Sequence, residues 1–300
     1  MKRQTISVLV AVVTLVAVSA AEEPKAVSVT FYHTSDIHEH SLPLPRIAGF
    51  VESRKKEDPN VLLVDTGDWF NKGDLTELNT RGEAMVAMLS ACGYDALIPG
   101  NHDYSFGTKR LAELIDRFSL PVVAANCIWP DDMKPEDSVP YRIFKLDGVT
   151  VAIIGTATPI STQQIDSLLR ILPMDKSLSD VVTKLEQRAD IIVVLTHIGT
   201  PADEKLARAL PGVDIIFGGH DHRRNEKLLI APGTDTVIQH SGSVGQCIGE
   251  LTVTWDGEKI VDRKLRLVRV TDKLPESAAV AEIGKKYRSR APTGVPILSP

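Results

Sequence analysis

The pentapeptide Pro99-Gly100-Asn101-His102-Asp103 follows the apolar run Tyr94-Asp95-Ala96-Leu97-Ile98. The run reads as a buried strand ending in a glycine turn, so Asn101 and His102 project from the strand's C-terminal edge. In an open α/β sheet, ligands bind outside that edge. An amide oxygen can serve as a neutral metal ligand, and the neighbouring imidazole can donate or accept a proton near neutral pH. Taken alone, Asn-His-Asp is an ordinary polar turn. Its weight comes from four further polar clusters, each closing an apolar run.

Two of these lie upstream. Val27–Tyr32 is a strand candidate that ends in His33-Thr34-Ser35-Asp36-Ile37-His38. Asp36 and His38 are two apart, so extended backbone puts them on one face, where a carboxylate and an imidazole can bind one transition metal. His33 reads as structural and His40 as exposed. Val61-Leu62-Leu63-Val64 is continuously apolar, the pattern of a strand covered on both sides, and ends in Asp65-Thr66-Gly67-Asp68. Asp68 there can bridge two cations through its two oxygens, or act as a helix cap or Asx-turn. The other two clusters lie downstream. Ile191–Leu195 ends in Thr196-His197, and Val213–Phe217 ends in Gly218-Gly219-His220-Asp221-His222. The glycine pair permits a sharp turn, and the HxH places two imidazoles on one side; this is the most specific element of the chain. Two Asp, one Asn and four His make seven ligands, with His102 left over. Seven ligands with one bridging carboxylate suit two divalent ions ~3.5–4 Å apart, a device for hydrolysing phosphate esters.

Between these strands, helical spacing appears at Arg46–Lys56, Gly82–Ala91, Thr108–Phe118, Leu178–Ala189 and Asp203–Leu210. Pro121–Ala125 and Thr236–Gln239 read as short strands. Tyr141–Leu146 with Val149–Ile154, and Leu251–Trp255 with Lys259–Arg269, read as hairpins about Asp-Gly turns. Asn126–Val139 reads as surface loop, and Pro159–Leu172 as loop with a helical piece. The chain has 300 residues, net charge −5, 43% hydrophobic and 24% charged residues, enough for a sizeable α/β core. The mild acidity and lack of a basic run exclude a nucleic acid polymer as partner. Lys2-Arg3, the apolar run Ile6–Val18 and Ser19-Ala20-Ala21 read as a signal peptide over residues 1–21, too short to span a bilayer comfortably. The protein is therefore expected to be exported, periplasmic or extracellular, with no stable membrane span after cleavage. Cys92, Cys127 and Cys247 read as buried small hydrophobes. One disulfide is possible in an exported protein, but the sequence does not choose the pair. A short helical pattern, Ser277–Tyr287, precedes a loose end.

The order DxH, GD, GNH, H, GHxH resembles the calcineurin-like metallophosphoesterase superfamily and, within it, the metallophosphatase domain of the 5′-nucleotidase family. Closer resemblances are His33–His38, Leu62–Asp68, Arg81-Gly82-Glu83, Gly93–Ala96, Pro211–Asp214 with Gly218–His220, and the glycine loop Gln239–Gly249. The resemblance covers about Ser28 to Val270. It implies an α/β fold, a four-layer αββα sandwich of two mixed sheets, with the metallophosphoesterase domain at 22–272 and a linker-like tail at 273–300. Carried over by residue, Asp36, His38, Asp68 and His222 would hold one metal, and Asp68, Asn101, His197 and His220 the other. The ions would be Mn, Fe, Co or Zn. A hydroxide bridging them would attack phosphorus in line, with His102 and Asp103 as catalytic residues. Glu39 stands where the family usually has Gly, Asp103 where it has Glu, and Ser105 where it has the Asp that partners the catalytic His. His102 is thus left to lean on Asp103, on a backbone group or on nothing. The implied substrate is a small phosphoester, a 5′-nucleotide or a related nucleotide. Alternatives are a sugar-nucleotide or cyclic-nucleotide hydrolase, a thiosulfohydrolase-like enzyme, or a non-catalytic extracytoplasmic binding domain. Full-length family members carry a second, nucleotide-gripping domain where this chain stops.

Overall fold

The computed structural model describes residues 26–158 and 168–289. The expected signal peptide at 1–21, the stretch 159–167 of the expected loop with a helical piece, and the end from 290 lie outside the described residues. The strands are β1 (Val27–Thr34), β2 (Val61–Asp65), β3 (Ala96–Leu97), β4 (Cys127–Ile128), β5 (Tyr141–Leu146), β6 (Val149–Gly155) and β7 (Arg170–Ile171), followed by β8 (Ile191–Leu195), β9 (Ile215–Gly218), β10 (Leu229–Ile230), β11 (Val237–His240), β12 (Cys247–Trp255) and β13 (Ile260–Arg269). The helices are α1 (Leu44–Glu57), α2 (Glu83–Ala91), α3 (Thr108–Phe118), α4 (Met174–Leu185), α5 (Thr200–Ala209) and α6 (Ala278–Arg288). One sheet runs β13-β12-β1-β2-β3 and the other β10-β11-β9-β8-β6-β5, and each mixes parallel with antiparallel pairs.

Three apolar cores separate four layers, because alternate residues of a strand face opposite sides of its sheet. From β2, Leu62 and Val64 pack between the two sheets, while Val61 and Leu63 pack against α1, α2, α3 and α6. From β8, Ile191, Val193 and Leu195 join the inter-sheet core, and Ile192 and Val194 pack against α4 and α5. Both strands are buried at every position, which is why they read as unbroken apolar runs.

Several boundaries differ from expectation for local reasons. The run Tyr94–Ile98 forms only the two-residue β3 at the sheet edge, and Pro121–Ala125 contributes single bridges, Leu97 to Val122 and Val123 to Val139. Helix α4 starts four residues early, directly after Pro173, and α5 starts at Thr200-Pro201 after left-handed Gly199. Proline is well placed in a first helical turn. The helical pattern near the end forms α6. It packs on α1 and α2 with Val280 fully buried, and Arg288 Nη1 donates to Ser41 Oγ at 2.6 Å. All three cysteines are free thiols. No helix among the described residues is long and apolar enough to cross a membrane.

Candidate metal centre

The carboxyl ends of β1, β2 and β3 in one sheet, and of β8 and β9 in the other, meet at one edge of the sandwich. The side chains they present come from the loops, not from extended strand. Asp36 (φ 53), His38 (φ 52), Asp68 (φ 59), His220 (φ 83) and His222 (φ 55) all have left-handed backbone. Such residues cost ~1–3 kcal/mol each and persist only where surroundings over-determine them. Here the loop after β1 is hydrogen-bonded to the loop after β2: Asp36 N–H donates to Gly67 O (2.8 Å), His38 N–H to Asp68 O (2.9 Å) and Glu39 N–H to Trp69 O (2.6 Å). The shared side of Asp36 and His38 therefore arises from this paired turn, not from the extended backbone that the DxH spacing suggested. Gly219 is required by close approach, since a Cβ there would collide with Ser35 Oγ and lie 2.8 Å from His197 Nδ1.

Asp36, His38, Asp68 and His197 form a buried floor, while Asn101, His102, His220 and His222 stand at a more open rim. His222 Nε2 lies 3.3 Å from Asp36 Oδ1 and 3.3 Å from His38 Nε2. His38 Nε2 lies 3.9 Å from Asp36 Oδ1 and 3.8 Å from Asp68 Oδ2. His197 Nε2 lies 3.1 Å from Asp68 Oδ2 and 3.8 Å from Asp36 Oδ1. His220 Nδ1 lies 2.9 Å from Asn101 Oδ1. The two imidazoles of the HxH thus serve opposite ends of the cluster, one towards His38 and one towards Asn101.

The donor chemistry fits divalent cations. His38 Nδ1 faces Phe70 O at 3.1 Å and His197 Nδ1 faces Thr66 O at 2.6 Å. A carbonyl only accepts, so each Nδ1 carries a proton and each Nε2 is the nitrogen turned towards the cluster. Burial holds His38 down to about 4, so its Nε2 keeps a free lone pair. Burial alone would also lower His197, but the Asp68 carboxylate outweighs it and lifts the imidazole to about 9. A proton between His197 and Asp68 relieves the clash of two acceptors, and a bound cation takes that proton's place. Ligand atoms of one ion, with bonds of ~2.0–2.2 Å, stand ~3–4 Å apart, the spacing found here.

Asp103 does not reach His102. Its buried carboxylate accepts from four backbone N–H groups, those of Asp68 (2.9 Å), Trp69 (2.7 Å), Phe70 (3.2 Å) and Gly100 (2.7 Å). It ties the loop of Asp68 to the loop of Asn101 and faces away from the ring it was expected to serve. The His102 ring meets Asn71 instead, with Nδ1 3.1 Å from the amide nitrogen. His33 is fully buried against Thr66 Oγ1 at 2.9 Å, a structural residue, and His40 is half-buried where exposure was expected. The sequence reading also missed a second buried cluster. His240 Nε2 lies 2.8 Å from Asp203 Oδ2, and its Nδ1 lies 3.1 Å from Asp221 Oδ1. Asp221 in turn accepts from Thr200 N–H at 2.9 Å, which ties the HxH loop to the start of α5. The only signal for it was Asp221 lying inside the HxH and His240 closing a strand.

The carboxylates and imidazoles gathered at the carboxyl ends of two packed sheets make a donor set for divalent cations. Residues 29–224 match the family model described as calcineurin-like phosphoesterase, and the chain belongs to that family. It is 27% identical over 231 residues to "Uncharacterized metallophosphoesterase YunD" of Bacillus subtilis, covering 75% of this chain and 50% of the relative. It is 28% identical over 228 residues to the 5′-nucleotidase of Rattus norvegicus, covering 65% and 38%. Among solved structures, a 5′-nucleotidase precursor from Thermus thermophilus superposes with a TM-score of 0.76 at 27% identity, over 88% of this chain and 59% of that one. The chain thus spans half or less of the length of these two curated relatives.

Proposed function

We propose that the protein is an exported hydrolase of phosphomonoesters, with 5′-nucleotides or related nucleotide phosphoesters as substrates and two divalent ions in its site. The observation that carries this reading is the convergence of seven potential ligands from five strand ends, with Asp68 placed between His38 and His197. Asp36, His38, Asp68 and His222 would hold one ion, and Asp68, Asn101, His197 and His220 would hold the other. When bound, such a pair supplies an activated water at neutral pH and neutralises charge on the phosphoryl group. The chain's own residues do the rest. Asp68 is held in place by His102 N–H, which donates to Oδ1 at 2.7 Å. His102 stands at the rim and hydrogen-bonds the substrate's phosphoryl end. The resemblance to 5′-nucleotidases favours a nucleotide over other phosphoesters, and the apolar run Ile6–Val18 favours export.

The test is a substrate panel on purified protein loaded with manganese: 5′-AMP, glycerol phosphate, 4-nitrophenyl phosphate, bis(4-nitrophenyl) phosphate and a thiosulfonate. The expected result is phosphate release from 5′-AMP with the highest kcat/KM of the set. Turnover confined to the diester or the thiosulfonate would overturn the reading.

A further inference from the structure

We propose that Asn71 is a positioning residue that fixes the proton of the His102 ring on Nε2, which makes His102 a hydrogen-bond donor to the phosphoryl oxygens and not a metal ligand. The donor role rests on the phosphoesterase reading above; the proton's place does not.

Asn71 Nδ2 lies 3.1 Å from His102 Nδ1 and 2.7 Å from Ser105 Oγ. The Ser105 hydroxyl donates to the carbonyl oxygen of His102. A hydroxyl has one proton, so towards Asn71 the Ser105 oxygen can only accept. The Asn71 atom facing it has to be the amide nitrogen, and the network itself thereby sets the amide's orientation. That nitrogen has two protons and two acceptors, Ser105 Oγ and His102 Nδ1. Nδ1 therefore presents its lone pair, and the ring proton sits on Nε2. Neither ring nitrogen is left with a lone pair for a cation, although one of them lies within 4.8 Å of ligand atoms of His38 and Asp68.

Asn71 is itself held. Its backbone is left-handed (φ 70), and its N–H donates to Glu39 Oε2 at 2.8 Å. The same oxygen accepts from Thr76 Oγ1 at 2.8 Å, and Glu39 is only 1% exposed. Glu39 and Ser105 are two of the three places where this chain departs from the family pattern. They belong to one arrangement: Ser105 supplies no carboxylate, Asn71 takes over the ring, and Glu39 fixes Asn71. A carboxylate partner would accept from Nδ1–H and leave the ring able to hand on a second proton. An amide donor allows only Nε2–H, which stabilises charge on phosphoryl oxygens. The oxygen of the attacking water bonds to phosphorus as the ester P–O bond breaks with its electron pair going to the leaving oxygen, which takes its proton from water; the products are phosphate and the alcohol, with one water consumed.

The test uses the zinc-loaded protein labelled with ¹⁵N-histidine. Two-bond ¹H–¹⁵N correlations report which nitrogen of each ring is protonated, and His102→Gln identifies the His102 signals. The expected pattern is Nε2–H in the natural sequence and Nδ1–H in Asn71→Asp, whose carboxylate accepts. Asn71→Ala should lose roughly 10- to 100-fold in kcat, with zinc content unchanged and equal losses on glycerol phosphate and 4-nitrophenyl phosphate. Adding Ser105→Asp to Asn71→Ala should restore rate, more for glycerol phosphate. An Nδ1–H or zinc-bound pattern for His102 in the natural sequence overturns the proposal, as does an unchanged kcat in Asn71→Ala. If the protein hydrolyses no phosphoester while Nε2–H is observed, the functional reading fails and the proton's place stands.

Discussion

Asp103 is bonded to His102 in the chain yet is spent elsewhere, and that separates two effects of mutation. Its carboxylate accepts from N–H groups of Asp68, Trp69, Phe70 and Gly100. An asparagine there would offer two donors to a nest of donors. Asp103→Asn should destabilise the fold by ~2–4 kcal/mol, because buried N–H groups lose their acceptor. It should also weaken metal binding, because the loops of Asp68 and Asn101 are no longer tied. His102→Ala should do the opposite: a rate loss of ~10²–10³-fold with metal content and melting temperature unchanged. Metal analysis, thermal unfolding and kcat on the two variants decide it. A stable, metal-replete Asp103→Asn with the rate defect of His102→Ala would return Asp103 to the chemistry. At this scale the sequence spoke through residue type. It brought out the imidazoles and carboxylates, but not whether a carboxylate faces a ring or a row of amides.

Elements were legible where one interaction dominates. β2 and β8 are apolar at nearly every position because both faces are covered, and their residues state that directly. The loops were not legible, because the left-handed turns of Asp36, His38 and Asp68 are set by pairing between distant segments, as in Asp36 N–H to Gly67 O. The same holds for the clamp on the HxH loop, which draws His240 from β11, Asp203 from α5 and Asp221 from the loop after β9. Its charge has a measurable consequence. Burial alone would lower His240, but Asp203 and Asp221 outweigh it and raise the imidazole to about 9; His33 faces it from β1. A raised folded-state value means that the imidazolium's contribution is fully present below the ordinary 6.5 and is lost as pH rises through about 9. The size is on the order of 3 kcal/mol. Urea unfolding at pH 6.5 and pH 9.5 should give a clear drop for the natural sequence. His240→Gln should be weaker at pH 6.5 and flatter between the two. Equal pH dependence in both proteins would remove the clamp from the account.

The whole molecule is two helix-backed sheets whose shared core ends at the cation cage. Asp36, Asp68 and Asn101 follow strands of one sheet, and His197, His220 and His222 follow strands of the other. Under the proposed ligand set, cations bound there would be ligated from both halves and would oppose any motion that parts the sheets at this edge. Binding to the folded state alone adds RT ln(1 + [L]/Kd), about 2.7 kcal/mol at a hundredfold excess over Kd. For a chain of 300 residues that is a rise of roughly 4 °C in melting temperature. Chelation should therefore lower the melting temperature by that order, and manganese or zinc should restore it. Hydrogen exchange should localise the change. Amides after β1, β2, β8 and β9 should lose protection on chelation, while α1, α2 and α6, which pack on one another away from that edge, should keep theirs. Asp68→Ala, which lacks the carboxylate between His38 and His197, should melt at one temperature with or without metal. A natural protein that demonstrably gives up its metal to the chelator, yet melts at the same temperature and exchanges alike in both sheets, would mean that the cage sits on the sandwich without joining its halves.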